Sequence, residues 1–474
     1  MVITRRETVY SQTQIDPLVS FRSAQGELVR GTIVNLQRQA LVMEIYNPYA
    51  IVQVSEVLSD LAVRIGSGTA YQGKAVVISI VNTGLTAVVS VTLIDEWNDL
   101  SADMDWQQGA VGAGAAGFVR DWSERFRIGR DYQIVINEMR AFLSDAARWV
   151  DRIDLAAALP RQDGHLRPDL FLELATPLSE KIYDFLGRLE HEAACVAPEL
   201  ASAHRASAQA ALHPLILRAP FVYRTYTKPL GYAGDYQMVN QILDDPRQGP
   251  STYFQIVNTA FLQTPVAAAH RNRIDILVAF LTAQAERARA AGRTFRILNI
   301  GCGPAVEVQR FLASYPDPEL LSFELLDFSA ETLNWTSAQL TALVAQRGRP
   351  VAINYVQDSV HQLLKRRGGD SAWPREFDVV YCAGLFDYLS DKVCARLLNH
   401  FASRVLPGGR LLVTNVHSDN PGKFGMEHLL EWHLIYRDEA GLQALLPASA
   451  RAPSIYVDAT GVNLFAEMDI GQAP

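Results

Sequence analysis

The stretch Phe295-Arg-Ile-Leu-Asn-Ile-Gly301-Cys302-Gly303-Pro304 decides the fold class of the C-terminal half. Its apolar first part predicts a buried strand that ends at two glycines, and the residues beyond it, AVEVQRFLAS, predict a helix. Glycines let a backbone turn sharply and approach a ligand closely, and a helix start presents free N–H groups. The stretch therefore predicts a ligand-binding turn, with a plain tight turn as the alternative.

Strand-like and helical segments alternate after Gly292. The predicted strands are FRILNIG, LLSFELLDFS, VAINYVQDS, FDVVYCAG and GRLLVTNVH. This alternation predicts an α/β fold with a parallel sheet that is covered by helices on both faces. Ligands bind such sheets at the carboxyl ends of the strands, so the residues that follow the strands are the candidate site residues.

Acidic residues follow the second and third predicted strands. Asp327 stands about 25 residues after the glycine turn, where an acid can hold both hydroxyls of a ribose. Asp358 and Ser359 close the next strand, where they could accept a hydrogen bond from an adenine amino group. Val306 stands where a dinucleotide-binding turn has its third glycine, which favours a smaller adenosine cofactor bearing an amino acid over NAD or FAD. Helix caps or turn residues are the alternative for both acids.

In the order of these motifs, residues 270–420 resemble a class I S-adenosylmethionine-dependent methyltransferase. The resemblance implies a Rossmann-like sheet and S-adenosylmethionine as the cofactor. The cofactor-binding residues that it implies lie at the glycine turn and the strand ends, and are Gly301, Cys302, Gly303, Asp327, Phe328, Asp358, Ser359, Cys382 and Ala383. Of Arg271 and Arg273, which precede the first strand, one could pair with the cofactor's carboxylate, and Arg273 is the candidate. A solvated helix face is the alternative.

A segment dense in tyrosine, glycine and proline, TYTKPLGYAGDY at residues 225–236, precedes the sheet. Its composition suits a loop that folds over a bound ligand, and a rigid surface turn is the alternative. Tyr226 and Tyr232 are its candidate substrate-binding residues, and Asp235 is a candidate catalytic base.

A second such segment follows the fifth predicted strand. On a predicted helix, Glu427 and Glu431 are one turn apart and share a face. We expect His417 and Glu431 to be further candidate bases, and Glu427, Tyr436 and Arg437 to bind substrate. The alternative is an amphipathic helix that is packed through its aromatic residues.

Three blocks narrow the resemblance. KPLGYAGDY, AHRNRID and EWHLIYR, within residues 215–440, are similar to a bacterial group of methyltransferases linked to the synthesis of 3-hydroxy fatty acid methyl ester signals. This likeness implies methyl transfer to a small molecule. The acceptor would be the carboxylate of a hydroxy fatty acid, or an oxygen or nitrogen nucleophile of a metabolite.

Short β-branched runs punctuated by turn residues fill residues 16–97 and predict an all-β barrel. They resemble a PilZ-type domain, which binds cyclic-di-GMP through RxxxR and a later [DN]-x-S-x-x-G. Here Asn35 begins a stretch that lacks the Ser and the Gly, and Arg5, Arg6 and Arg22 do not form the first motif. Cyclic-di-GMP binding is therefore not expected. The alternative function is that of a PilZ-type signalling or binding protein whose methyltransferase-like domain is not catalytic.

The predicted regions are a PilZ-like barrel at 1–105, a helical connector at 118–212, a helical lid or substrate region at 213–290 and a Rossmann-like domain at 291–474. Residues 109–117, GAVGAGAAG, predict a flexible linker. The long amphipathic helices of 118–212 could serve as a connector or as the interface of a homodimer.

Composition excludes several classes of protein. The net charge of −8 and pI of about 5.7 disfavour nucleic-acid binding. Four scattered cysteines predict neither disulfides nor a zinc site and suit a reducing cytoplasm, and the histidine spacings predict no metal. The N-terminus has no apolar core behind its arginines, so neither a signal peptide nor a membrane span is expected.

Overall fold

The computed structural model of the protein describes residues 18–22, 28–45, 52, 55–65, 68–82, 87–98, 110–125, 127–155, 159–162, 165–359, 363 and 377–471. The chain forms two compact units. The first consists of Met1–Arg125 with Thr227–Ala233, and the second of Phe126–Tyr226 with Gly234–Pro474. The four predicted regions stay a prediction.

Antiparallel strands form the core of the first unit. They are β1 (Leu18–Arg22), β2 (Leu28–Leu36), β3 (Ala40–Ile45), β4 (Val57–Ile65), β5 (Gly68–Asn82) and β6 (Ala87–Leu93). They pair in the order β1-β2-β3-β6-β5-β4, and β4 pairs back with β1, so the sheet closes. Phe21, Met43 and Tyr71 are buried in its interior. The PilZ-like assignment stays a prediction, and Arg5 and Arg6 lie outside the described residues.

A helix, α1 (Ala110–Arg125), occupies most of the stretch that was expected to be a linker. The expectation is wrong for residues 110–117, while Gly109 lies outside the described residues. The reason is that glycines in a helix cost only about 1 kcal/mol each, and alanine, the strongest helix former, alternates with them here.

Helices make up the first part of the second unit. They are α2 (Arg130–Asp154), α3 (Pro168–Ala194), α4 (Ala201–Ile216), α5 (Pro220–Thr227), α6 (Tyr236–Leu243), α7 (Thr252–Leu262) and α8 (Pro265–Ala290), with the short strands β7 (Arg161–Gln162) and β8 (His165–Leu166) after α2. The predicted amphipathic helices are α2 and α3, and each buries one face. None of the helices in the described residues is both long and apolar enough to cross a bilayer.

A seven-stranded sheet forms the second part of this unit. Its strands are β9 (Phe295–Ile300), β10 (Leu321–Asp327), β11 (Ala352–Gln357), β12 (Phe377–Cys382), β13 (Val405–Val416), β14 (Ala450–Val457) and β15 (Asn463–Ile470), in the order β11-β10-β9-β12-β13-β15-β14. The strands β9 to β13 are parallel, as predicted. However, β15 runs antiparallel to β13 and β14, so the expectation of a wholly parallel sheet is wrong at this edge.

Helices cover both faces of the sheet. They are α8, α9 (Val306–Ser314), α10 (Ala330–Arg347) and α11 (Asp391–Arg404), and the short helix at Glu439–Gln443, which is α13. The helix α12 (Lys423–Leu430) packs instead against α3 and α4. Phe311 and Tyr381 belong to the core on one face, and Val380 and Phe401 to the core on the other. The chain leaves β9 toward β10 and β11, and then returns to β12 on the other side of β9. A crevice opens outside the carboxyl ends of the strands where the order reverses in this way.

Candidate active site

The turn after β9 adopts a backbone conformation that favours glycine at two positions. Gly301 and Gly303 have φ values of +68° and +51°. The N–H groups of Gly301 and Cys302 both donate to the carbonyl of Leu326, at 2.8 and 3.0 Å, which ties the turn to β10. A Cβ atom on Gly303 would meet no atom of the described residues within 4 Å. Open space for a ligand therefore lies beside this backbone.

Asp327 contacts the same turn from the end of β10. One carboxylate oxygen accepts a hydrogen bond from the N–H of Gly303 at 3.1 Å, and the other accepts from the N–H of Ser329 at 3.0 Å. Burial raises the pKa of Asp327, while the N–H groups of Ser329 and Gly303 lower it. Each oxygen keeps a second lone pair, so the carboxylate is able to accept hydrogen bonds from a diol as well.

The next strand end lies beside Asp327. The N–H of Asp358 donates to the carbonyl of Asp327 at 3.1 Å, and the Asp358 carboxylate accepts from the N–H of Ser359 at 2.8 Å. Asp358 is buried, whereas Phe328 is 49% exposed as a residue. The structure thus brings the two predicted acids together at one edge of the sheet.

Cys382 and Ala383 follow on the other side of β9, at the end of β12. Cys382 is fully buried, and burial raises the pKa of its thiol. The next residue, Gly384, has a φ of +91°, and its N–H donates to the hydroxyl of Thr414 at 2.9 Å. At this strand end the backbone is therefore closely packed, and the side chains are small.

Arg273 reaches this strand end from α8. A Cβ atom on Gly384 would lie 3.0 Å from a guanidinium nitrogen of Arg273, so the guanidinium packs against that glycine. Burial lowers the pKa of Arg273, although the charges of Asp387 and Glu307 raise it. In the part of the chain that the structure describes, Arg273 makes neither a hydrogen bond nor an ion pair. A half-buried cation that makes no hydrogen bond or ion pair with a described residue favours an anionic ligand at this point.

Glu307, in the first turn of α9, is a site residue that the sequence analysis missed. Its carboxylate is buried and accepts hydrogen bonds from the amide of Asn299 at 2.9 Å and the hydroxyl of Tyr381 at 2.8 Å. Burial raises the pKa of Glu307, and the bonds from Tyr381 and Asn299 lower it. The start of α9 therefore carries an acid beneath the glycine turn.

Asp387 was also missed. It lies after β12 and is buried, and one carboxylate oxygen accepts from the N–H of Val416 at 2.5 Å. Burial raises the pKa of Asp387 to about 6, although the bond from Val416 and the charges of Arg273 and Arg437 lower it. Its carbonyl accepts from the N–H of Ile435 at 2.6 Å. Asp387 thus joins the ends of β12 and β13.

Tyr388 and Trp432 lie together next to Arg273. The indole N–H of Trp432 donates to the hydroxyl of Tyr388 at 3.1 Å, and the charge of Arg273 acts on that hydroxyl. A Cβ atom on Gly234 would lie 2.9 Å from the same hydroxyl and 3.9 Å from the indole ring. The second glycine of the predicted substrate segment is therefore needed for close approach.

The three predicted bases do not meet. No hydrogen bond or ion pair among the described residues joins any two of Asp235, His417 and Glu431. Asp235 is buried, caps α6 through the N–H of Met238 at 2.8 Å, and pairs with Arg224 at 2.8 Å.

His417 lies at the end of β13. One ring nitrogen is 3.2 Å from the carboxylate of Glu439, and the other accepts from the N–H of Asp419 at 3.1 Å. Its role as a base stays a prediction.

Glu431 does not lie on a helix. The helix α12 ends at Leu430, and Glu431 has a φ of +50°, so the expected shared face of Glu427 and Glu431 is wrong. Burial raises the pKa of Glu431, but hydrogen bonds from His433 and Gln209 and the charge of Arg205 lower it to about 2. These partners favour the ionised carboxylate, and a catalytic role for Glu431 stays a prediction.

Arg437 is part of the framework rather than a free substrate ligand. Its guanidinium is buried and donates to the carbonyls of Phe386 and Leu389, to the amide of Asn415 at 2.5 Å and to Asp391. These bonds use each of its nitrogens. The expectation that Arg437 binds substrate is therefore corrected.

The other predicted substrate residues are dispersed. The ring of Tyr226 lies 4.5 Å from that of His213, and the ring of Tyr436 lies 4.7 Å from the ammonium of Lys423. Glu427 acts electrostatically on Tyr436. Tyr232 belongs to the segment that groups with the first unit. Binding of substrate by Tyr226, Tyr232, Glu427 and Tyr436 stays a prediction.

No protein-family model matches the chain, and no curated protein does. Solved structures are similar over parts of it. A possible exported protein from Bordetella parapertussis is 15% identical, with a TM-score of 0.43 over 62% of this chain and 97% of that one. A magnesium protoporphyrin IX methyltransferase from Synechocystis PCC 6803 with bound SAH is 14% identical, with a TM-score of 0.36 over 53% and 98%. An O-methyltransferase family protein from Burkholderia thailandensis is 13% identical, with a TM-score of 0.34 over 57% and 72%.

Proposed function

We propose that the chain is an S-adenosylmethionine-dependent methyltransferase that acts on a small molecule. The observation that carries this proposal is the placement of Arg273 and Asp327 on either side of the glycine turn. The strand order puts β9 between β10, which ends at Asp327, and β12, beside whose end Arg273 lies. A cofactor that spans the crevice would meet a cation at one end and an acid at the other.

The residues present fit the parts of such a cofactor. The guanidinium of Arg273 would pair with its carboxylate, and the carboxylate of Asp327 would accept from the ribose hydroxyls. Asp358 would accept from the adenine amino group, and the exposed ring of Phe328 offers an apolar surface beside it. The open space at Gly303 leaves room for the ligand next to the backbone.

Glu307 argues against a dinucleotide. The pyrophosphate of NAD or FAD binds at the N-terminus of the helix that follows the glycine turn. In this chain the first turn of that helix carries the buried acid Glu307, and Ala305 precedes the helix in a left-handed conformation with a φ of +47°. An acid at this point favours a positively charged ligand over a pyrophosphate.

S-adenosylmethionine, when bound, supplies a methyl group on a positively charged sulfur that nucleophiles attack directly. The protein therefore has to orient a nucleophile and exclude water. The buried Trp432 and the half-buried Tyr388, which contact each other, would form a wall for that purpose.

The acceptor that we propose is the carboxylate of a hydroxy fatty acid, or an oxygen or nitrogen nucleophile of a metabolite. Support comes from the likeness of KPLGYAGDY, AHRNRID and EWHLIYR to methyltransferases linked to 3-hydroxy fatty acid methyl esters. A carboxylate needs no base, whereas a hydroxyl or an amine would need one.

Equilibrium dialysis with labelled S-adenosylmethionine tests the proposal. We expect saturable binding in the micromolar range, displaced by S-adenosylhomocysteine and not by NAD. Absence of binding at micromolar protein, or displacement by NAD alone, would contradict the proposal.

A further inference from the structure

His270 lies one helical turn before Arg273 on α8. Residues three apart on a helix share a face, so His270 faces the same side of the helix as the arginine at the end of β12. The helix rises 1.5 Å per residue, so His270 lies about 4.5 Å from Arg273 along the helix axis, on its N-terminal side. In this position the ring of His270 lies near Trp432, which follows β13.

The ring of His270 has one nitrogen committed to the backbone. Its Nδ1 lies 2.9 Å from the carbonyl oxygen of Val266, which can only accept a hydrogen bond. Nδ1 therefore carries the proton in the neutral ring, and Nε2 carries a lone pair. Nε2 makes no hydrogen bond to any described residue. It is also not among the completely buried polar atoms of the described residues that lack a partner. The lone pair is therefore unused by the described residues and is not completely sealed from solvent.

Trp432 is the aromatic residue nearest to the ring of His270 in the contacts that the structure describes. The ring of His270 lies 6.0 Å from the indole, and the indole donates to the hydroxyl of Tyr388 at 3.1 Å. The backbone of Gly234 closes against both aromatic residues. His270, Tyr388 and Gly234 thus all lie close to Trp432.

The charges around His270 keep it neutral. Burial lowers the pKa of His270 to about 3, and the positive charges of Arg273 and Arg271 lower it as well. Its bond to Val266 and the charge of Asp458, which precedes β15, raise the pKa. Trp432 brings no charge. An anion at Arg273 would remove one of the lowering charges, so a bound cofactor carboxylate would make Nε2 a better proton acceptor.

We propose that Nε2 of His270 binds the acceptor through its nucleophilic O–H or N–H group, so that the acceptor is a hydroxyl or an amine rather than a carboxylate. This inference rests on the proposed methyltransferase function and narrows its substrate class. An ionised carboxylate carries no proton for Nε2 to accept, and the neutral ring offers no hydrogen there to donate to it.

The transfer then balances without another reactant. A lone pair of the acceptor oxygen or nitrogen forms a bond to the methyl carbon, and the carbon–sulfur bond breaks with its electron pair staying on sulfur. The acceptor's proton passes to Nε2, which becomes positively charged and later releases the proton to water. The charge that leaves sulfur thus arrives on the imidazole.

Nitrogen NMR of the histidine-labelled full-length protein tests the inference without an acceptor. The His270 signals are identified by their loss in His270→Asn, and exposed His433 serves as the comparison ring. At pH 7.5, with and without S-adenosylhomocysteine, we expect a neutral ring with the proton on Nδ1. A proton on Nε2, or a charged ring, would overturn the inference because Nε2 could not accept.

Methyl transfer provides the second readout. The acceptors are a hydroxyl and amine set (aliphatic alcohols, phenols and primary amines without a carboxylate) and a carboxylate set (saturated C6–C12 fatty acids). We expect labelled methyl groups on the first set only. His270→Asn keeps a donor for Val266 but has no group at Nε2, and should lower kcat about a hundredfold or more. His270→Gln places an oxygen near Nε2 and should recover part of the acceptor's KM.

The outcomes separate the inference from the proposed function. Transfer to carboxylates alone, or an unchanged kcat in His270→Asn, would overturn the role of His270 and leave the cofactor site standing. If no acceptor in either set is methylated, the NMR result decides: a proton on Nε2 or a charged ring overturns the role of His270, and a proton on Nδ1 of a neutral ring supports it. If the wild-type protein does not bind S-adenosylhomocysteine, the proposed methyltransferase function itself is contradicted.

Discussion

The carboxylate of Asp327 accepts a hydrogen bond from the N–H of Gly303 at 3.1 Å. This bond joins the acid at the end of β10 to the glycine turn at the end of β9. The bond fixes the turn, and in the proposed function the same carboxylate also presents an acid to the ligand. Asp327 is only 4% exposed, so water could not easily take over its hydrogen bonds if the carboxylate were removed.

Asp327→Asn should weaken the binding of S-adenosylhomocysteine about tenfold to a hundredfold, which corresponds to roughly 1.4–3 kcal/mol. The amide keeps one acceptor oxygen but loses the charge and the second acceptor. Isothermal titration calorimetry measures the effect.

Asp378→Asn is the matched control. Asp378 is a buried acid at the opposite end of the sheet, near the start of β12, where it pairs with Arg293 and accepts from the N–H of Arg296. Its substitution should lower the free energy of unfolding without changing the affinity. Equal losses of affinity in both variants would contradict a direct role for Asp327.

Gly384→Ala should displace the guanidinium of Arg273. The new Cβ would lie 3.0 Å from a guanidinium nitrogen, and the φ of +91° strains any side chain. We expect affinity for S-adenosylhomocysteine to fall about tenfold. Gly408→Ala is the control, since its φ is +79° but its Cβ would meet no described atom within 4 Å. Both variants should lose about 1 kcal/mol of stability or more, and only the first should lose affinity.

The placement of the candidate cofactor residues at one edge of the sheet could be predicted from the sequence because its signals are local, while cofactor binding by these residues stays a proposal. The glycine turn is bounded by a strand and a helix in one continuous stretch, and Asp327 and Asp358 directly follow apolar runs. Glu307 gave no such signal, and His270 stood out only as part of the block AHRNRID. Each belongs to a helix, and its importance comes from Tyr381 and Trp432, which are distant in sequence.

The errors have physical causes of the same kind. The strand β15 pairs antiparallel with β13 across more than 40 residues, and such a pairing leaves no local pattern. The strand β14 joins the sheet only through β15. The end of α12 was missed because Glu431, and not glycine, takes the left-handed conformation there. Only the fold shows that Arg437 reaches the carbonyls of Phe386 and Leu389.

Arg437→Lys should destabilise the protein by about 2–4 kcal/mol, because buried carbonyls and the amide of Asn415 would lose charged donors. Urea unfolding measures the change. Arg451→Lys, at an exposed position, should have little effect. A substrate-binding role would show the reverse pattern, with normal stability and a raised KM for the acceptor.

Glu190 should make stability depend on pH. Its carboxylate accepts from the N–H groups of Phe424 and Gly425, at 2.9 and 2.5 Å, at the start of α12. Burial raises the pKa of Glu190 from 4.5 to about 7, although these N–H groups lower it. The folded protein thus holds the proton more tightly than the unfolded chain. Stability from this group is fully present below pH 4.5 and is lost as pH rises through 7, by at most roughly 3 kcal/mol.

Thermal or urea unfolding between pH 4 and 8 checks this dependence. Glu190→Gln should flatten the part of the profile between pH 4.5 and pH 7. Glu180→Gln, on the same helix and exposed, should leave the profile as it is. An unchanged slope in Glu190→Gln would show that Glu190 is not responsible.

A crystal structure of the complex with S-adenosylhomocysteine tests the central claim most directly. We predict the ligand in the crevice at the ends of β9, β10 and β12, with its carboxylate on the guanidinium of Arg273 and its ribose hydroxyls on Asp327. A ligand bound elsewhere, or one in the crevice that contacts neither Arg273 nor Asp327, would contradict the account.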